Sequence, residues 1–144
     1  MKIQILDSRL DSHMLKPAHS TDAGIDMYAC LPNTISILPG ESQAVPGGIK
    51  TAIPEGYVGL MIPRSSAGSK GLHLANVVGV IDAGYRGEIL MKITNRSSEP
   101  LFINPMDRIA QLVVTPIYEY TNLEIVAELD NTSRGEGGFG STNH

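Results

Sequence analysis

Gly87-Glu88-Ile89-Leu90-Met91-Lys92-Ile93-Thr94 (residues 87–94, GEILMKIT) carries Ile89, Met91 and Ile93 on one side of an extended chain, with Glu88 and Lys92 on the other. That two-residue period is the mark of a half-buried β-strand. Working outward, residues 57–62 (YVGLMI) follow Pro54-Glu55-Gly56 and stop at Pro63, and residues 34–38 (TISIL) lie between Pro32 and Pro39-Gly40. Residues 109–117 (IAQLVVTPI) and 123–128 (LEIVAE) read as further strands. Small and polar residues at 65–70 (SSAGSK) break this rhythm and predict a single helical turn. No long stretch shows 3.6-residue periodicity. Many short strands bounded by turn residues point to an all-β sandwich, barrel or jelly roll rather than an alternating α/β fold.

Composition agrees and narrows the options. The 144 residues are 42% hydrophobic, enough for one domain with a core, and include 15 glycines and 9 prolines. A single cysteine, Cys30, excludes a disulfide scaffold and reads as a small core residue. No apolar run approaches the ~20 residues of a membrane span, and MKIQILDSRL lacks the apolar stretch of a secretory leader. A net charge of −4 argues against bulk nucleic-acid binding, which rests on neutralising phosphates. The expectation is a cytoplasmic protein with one β domain over residues 1–131. Residues 132–144 differ: this glycine-rich stretch has one large apolar side chain, Phe139, and cannot build core. It reads as a flexible arm that orders when something binds.

Several segments carry chemistry. Gly135, Gly137 and Gly140 match G-x-G-x-x-G, but the flanking strand, helix and distant acid that a dinucleotide site needs are missing. What survives is a run of glycines with exposed N–H groups, beside Arg134, Phe139, Ser141 and Thr142. Such a set suits a lid over phosphate and a flat base; a tail without function is the alternative. Arg64, Ser65 and Ser66 follow a strand that ends at Pro63, at the positive end of the short turn, where phosphate binding competes with an ordinary serine N-cap. Asp82-Ala83-Gly84-Tyr85 reads as a hairpin turn, in which Asp82 either caps the turn or takes a proton from water. Asn76, on the same stretch, has the paired donor and acceptor that read a nucleobase edge. Asp22 and Asp26 flank Gly24 and suit either a hard cation or a turn before a strand. His13, His19, His73 and His144 show no metal-ligand spacing with Cys30. Asn95-Arg96-Ser97 and Asn131-Thr132-Ser133 match the glycosylation pattern, without a secretory leader to support its use.

Taken in order, five stretches closely resemble the motifs of the trimeric deoxyuridine triphosphatase (dUTPase) family: 22–28 (DAGIDMY), 63–71 (PRSSAGSKG), 79–88 (GVIDAGYRGE), 107–112 (DRIAQL) and 134–142 (RGEGGFGST). The resemblance implies a distorted jelly-roll or β-clip barrel, assembled as a homotrimer with active sites at subunit interfaces, that hydrolyses dUTP to dUMP and pyrophosphate with Mg²⁺. In that scheme Asp82 orients and deprotonates the water that attacks the α-phosphorus, and Gln111 helps hold it. Arg64, Ser65 and Ser66 hold phosphate oxygens. Asn76 and the backbone at Gly79 and Val80 read uracil, and Tyr85 packs under the deoxyribose. Arg134 clamps the γ-phosphate, Gly138, Gly140, Ser141 and Thr142 wrap the triphosphate, and Phe139 covers the base. Asp26 touches the metal's water shell. Neither nucleic acid nor membrane is an expected partner. Ser66 stands where many members have glycine. Two rival functions remain: a dCTP deaminase of the same fold, and a non-catalytic nucleotide-binding regulatory trimer.

Overall fold

The computed structural model describes residues 1–136. Along them run β1 (Lys2–Ile5), β2 (Gly24–Tyr28), β3 (Ile35–Ile37), β4 (Ser42–Ala52), β5 (Tyr57–Pro63), α1 (Ser65–Gly68), β6 (Leu72–Leu74), β7 (Gly79–Ile81), β8 (Glu88–Asn95), β9 (Leu101–Ile103) and β10 (Arg108–Pro116), then a 3₁₀ turn at Tyr120–Asn122. Two four-stranded antiparallel sheets, ordered β1-β4-β8-β6 and β2-β10-β5-β7, enclose the core, and β3 pairs with β9. This is the all-β jelly-roll arrangement that the short, turn-bounded runs imply, with the helical turn where the small residues place it. Among the described residues no helix is long and apolar enough to cross a membrane.

Alternation builds the core. Ile89, Met91 and Ile93 of β8 are buried, meeting Val45 and Ile49 of β4, while Leu90 and Lys92 face outward. At the end of β8 the buried Asn95 ties three segments together. Its Nδ2 donates to the carbonyls of Ile37 at 2.8 Å and Glu99 at 2.7 Å, and its Oδ1 accepts from the backbone N–H and hydroxyl of Ser97. An asparagine that matches a glycosylation pattern is therefore a structural node with its amide inside the protein. Cys30 is buried as well, and burial pushes its thiol up to about 11.

Irregularities aim the outward side chains. The ladder between β10 and β2 shifts register between Arg108 and Ala110, so Ile109 is the extra residue of a β-bulge. Ile109 and Ala110 both turn inward, leaving Arg108 and Gln111 on the outer face. Residues 123–128 form no strand: they follow the 3₁₀ turn as exposed chain, with Ile125 91% exposed. Their apolar pattern is that of a strand, but among the described residues they pair with no sheet edge.

Candidate active site

The outer face of the β2-β10-β5-β7 sheet brings the first group of residues together. Asp26 of β2 lies opposite Gln111 of β10, so their side chains share one face. Strand β2 begins at Gly24, which puts Asp26 inside the strand and leaves Asp22 in the preceding turn, bonded to His19. Arg64 follows the end of β5, where its N–H donates to the Ile109 carbonyl at 3.2 Å. Its Nε pairs with Asp26 Oδ1 at 3.0 Å, and Arg108 Nη1 pairs with Asp26 Oδ2 at 3.1 Å. One carboxylate thus holds two guanidinium groups side by side. No side chain caps α1, so the serine N-cap reading is not what forms there.

A cavity of about 440 Å³ opens over this group, lined by Arg64, Ser65, Arg108, Gln111, Asp22 and Asp26 from the sheet side. The loop after β1 closes its far wall with His13, Met14 and Lys16. Asp11 shapes that loop: its Oδ1 accepts the backbone N–H groups of Met14 at 2.9 Å and His13 at 2.7 Å, which hold its carboxyl below the usual range. Ser66 faces elsewhere, into a smaller pocket with Lys70 and Phe102 on the other side of α1. Sequence reasoning missed Arg108, His13 and Lys16 as lining residues. Arg108 lay within a quoted motif, but its pairing with Asp26 depends on the bulge at Ile109.

Residues 76–88 hold the second group. The turn at 82–85 joins β7 of one sheet to β8 of the other, so it is a corner between sheets and not the hairpin turn that the sequence predicts. The Tyr85 N–H donates to the Asp82 carbonyl at 3.0 Å, closing the turn, and Asp82 stands exposed on it. Tyr85 is pinned: its hydroxyl donates to the Glu88 carbonyl at 3.0 Å, and its ring occupies the space over Gly87. A β-carbon added at Gly87 would lie 2.3 Å from that hydroxyl oxygen, so only glycine fits beneath the ring. Asn76 folds its amide towards Gly79, 3.6 Å from where a β-carbon would stand. Strand β7 is the outer strand of its sheet, so half of the backbone groups at Gly79–Ile81 point away from β5.

The two groups are not adjacent within one chain. Ile81 pairs with Gly59, near the start of β5, whereas Arg64 follows its end. Five residues of strand separate those points, about 16 Å at ~3.3 Å per residue. No residue of 76–88 lines the cavity that contains Arg64 and Gln111. Arg134 lies exposed within a turn closed by the Gly135 N–H on the Thr132 carbonyl at 3.1 Å. Gly138, Phe139, Gly140, Ser141 and Thr142 fall outside the described residues.

Among the described residues, no three His, Cys, Asp or Glu side chains converge as a metal site. The cavity does offer Asp22 and Asp26; Asp26 Oδ2 accepts an N–H from Arg108 and Oδ1 is ion-paired with Arg64, and each oxygen keeps a further lone pair. That donor set suits a hydrated Mg²⁺ carried on phosphate better than a cage built from protein ligands.

Comparison with known proteins bears on the same residues. The dUTPase family model matches residues 11–143. Deoxyuridine 5'-triphosphate nucleotidohydrolase of Paraburkholderia phymatum is 41% identical, covering 99% of this chain and 97% of the relative. The enzyme of the same name from Hahella chejuensis is 40% identical over 97% and 94%. Among solved structures, a point mutant of the Staphylococcus bacteriophage 80alpha dUTPase with dUpNHpp superposes with a TM-score of 0.83 at 30% identity, covering 99% of this chain and 98% of that one. A mutant dUTPase from phage phi11 of S. aureus, described with a structural Mg(II) ion, gives 0.77 at 29% identity over 90% and 98%. A family match that spans the cavity, residues 76–88 and the sheets that carry them leaves one conclusion: this chain belongs to the dUTPase family.

Proposed function

We propose that the protein hydrolyses dUTP to dUMP and pyrophosphate, supplying dUMP for thymidylate synthesis and keeping uracil out of DNA, and that it works in the cytoplasm, where the nucleotide pool is. The observation that carries this reading is the cavity where Asp26 holds Arg64 and Arg108 together, with Ser65 and Gln111 alongside. A triphosphate brings three to four negative charges to a protein whose own net charge is −4. Local donors must therefore stabilise the charge that develops on the leaving pyrophosphate. Mg²⁺, bound mainly by phosphate oxygens, would add its charge there, with Asp26 in reach of its water shell.

Asn76 and the outward backbone groups at Gly79 and Val80 read the uracil edge, and the pinned Tyr85 ring lies under the sugar. Asp82 takes a proton from the water that attacks the α-phosphorus. The bond from that phosphorus to the bridging oxygen breaks, and pyrophosphate leaves. Gln111 helps to hold the water, while Arg64 and Ser65 hold phosphate oxygens, with Ser66 close by on the turn. The arm at 132–144 closes over the nucleotide: Arg134 on the γ-phosphate, Phe139 on the base, and Gly138, Gly140, Ser141 and Thr142 around the phosphates. Closure excludes bulk water.

Ile81, just before Asp82, pairs about 16 Å of strand away from Arg64, and no residue of 76–88 lines the Arg64 cavity, so each site takes Asp82 and its neighbours from another copy. A homotrimer satisfies this with three equivalent sites. The exposed apolar stretch around Ile125 supports assembly, since such a surface is covered when copies associate.

The test is product analysis with dUTP and Mg²⁺. Equal amounts of dUMP and pyrophosphate are expected, and Asp82→Asn is expected to lower kcat by about 10²–10⁴-fold with KM little changed. Ammonia released from dCTP, or nucleotide binding without turnover, would overturn the reading in favour of a deaminase or a regulatory binding protein.

A further inference from the structure

Between Asn76 and Val78 the backbone makes a γ-turn, with the Val78 N–H donating to the Asn76 carbonyl at 2.6 Å. Its central residue, Val77, has φ +64, in the left-handed region. A β-branched residue is a genuine outlier there, and a γ-turn with positive central φ is rare and strained. Met106 is the other described non-glycine residue with positive φ, at +67, but its side chain packs against the core. Val77 is 70% exposed, so packing within the chain does not offset its strain.

The flanking chain imposes this conformation. The Ala75 N–H donates to the Lys92 carbonyl at 2.8 Å, and the Val77 N–H donates to the Leu74 carbonyl at 3.0 Å, with Leu74 buried. Downstream, Gly79 is fixed opposite Met61 in β5. Only three residues remain to reverse direction between two anchored points. Strained backbone persists where surrounding structure over-determines it, and such positions cluster at functional sites. The turn's product is the direction of the Asn76 side chain, folded towards Gly79.

We infer that Val77 is a positioning residue for base recognition, its strained γ-turn holding the Asn76 amide in the orientation that reads the base. The inference rests on the proposed role of Asn76. A stiff valine in this turn leaves few alternatives for its neighbour, and preorganisation of that kind strengthens binding by reducing the ordering left to do.

Three variants test this through thermal unfolding and through steady-state kinetics with dUTP and dCTP. Val77→Asn relieves the strain with a residue that tolerates positive φ; its expected result is a higher thermal midpoint with KM for dUTP retained. Val77→Gly relieves the strain but frees the turn. Its expected result is an undiminished midpoint, kcat within twofold, KM for dUTP raised about three- to tenfold, and a reduced preference for dUTP over dCTP. Val77→Gly with wild-type KM and preference would overturn the inference, as would a lowered midpoint in Val77→Asn. Asn76→Ala separates the two levels. If it leaves KM and preference unchanged, the base-reading role of Asn76 fails. If it shifts both while Val77→Gly shifts neither, only the positioning role of Val77 fails.

Discussion

The phenol ring of Tyr85 rests where any side chain at residue 87 would stand, and in the proposed function this contact carries the selection against ribonucleotides. Fixed by its hydroxyl on the Glu88 carbonyl, the ring cannot retreat without losing that bond. A β-carbon at 87 would displace it. Gly87→Ala is therefore expected to narrow the preference for dUTP over UTP by about tenfold, a loss near 1.4 kcal/mol of discrimination, while base preference stays put. The ratio of kcat/KM values for the two nucleotides measures it, and an unchanged ratio would contradict the contact's role. At this scale the sequence is readable where side-chain chemistry limits the options, as for Arg64, Ser65 and Gln111, which line one cavity. It is mute where the role depends on backbone geometry. The positive φ of Val77, the pairing of Arg108 with Asp26, and the approach of Lys16 and His13 to the cavity all follow from turns and bulges that residue type does not encode.

Strands β3, β5, β8 and β10 stand within a residue or two of the runs that predict them, because each buries alternate residues against the core. Strand β4 escapes pattern reading because Pro46, Gly47 and Gly48 interrupt it at a bulge where the register shifts between Pro46 and Lys50. Strand β2 escapes because Asp22, Gly24 and Asp26 resemble a turn, and its short length gives alternation little room. Residues 123–128 fail in the opposite sense: alternation shows that a segment suits a sheet, not that a sheet edge is there for it to join. The elements that do form depend on Asn95, which joins β8 to the end of β3 and the loop to β9. Asn95→Leu strands the Ile37 and Glu99 carbonyls and the Ser97 N–H, and an expected loss of about 3 kcal/mol follows. Chemical denaturation measures it, and a loss below ~1 kcal/mol would mean that water or rearranged loops replace the amide.

Across the whole molecule, the β-sandwich acts as a spacer. Strand β5 is followed by Arg64 at its end and pairs through residues 59–61 with β7, whose Ile81 leads into Asp82. No residue of 76–88 lines the Arg64 cavity, so in the proposed function the two halves of the site come from different copies. In the proposed trimer activity is a property of the assembly, and a chain with one half damaged can still lend the other half to a neighbour. Subunit complementation tests this directly. On this reading Asp82→Asn damages only the half from residues 76–88 and Arg64→Ala only the phosphate half, so each protein alone is expected to be nearly inactive. Unfolded together and refolded as a mixture, they are expected to regain a substantial fraction of wild-type pyrophosphate release from dUTP, from sites that combine two intact halves. A mixture no more active than the separate variants would contradict the divided site, and with it the account of how this fold hydrolyses its nucleotide.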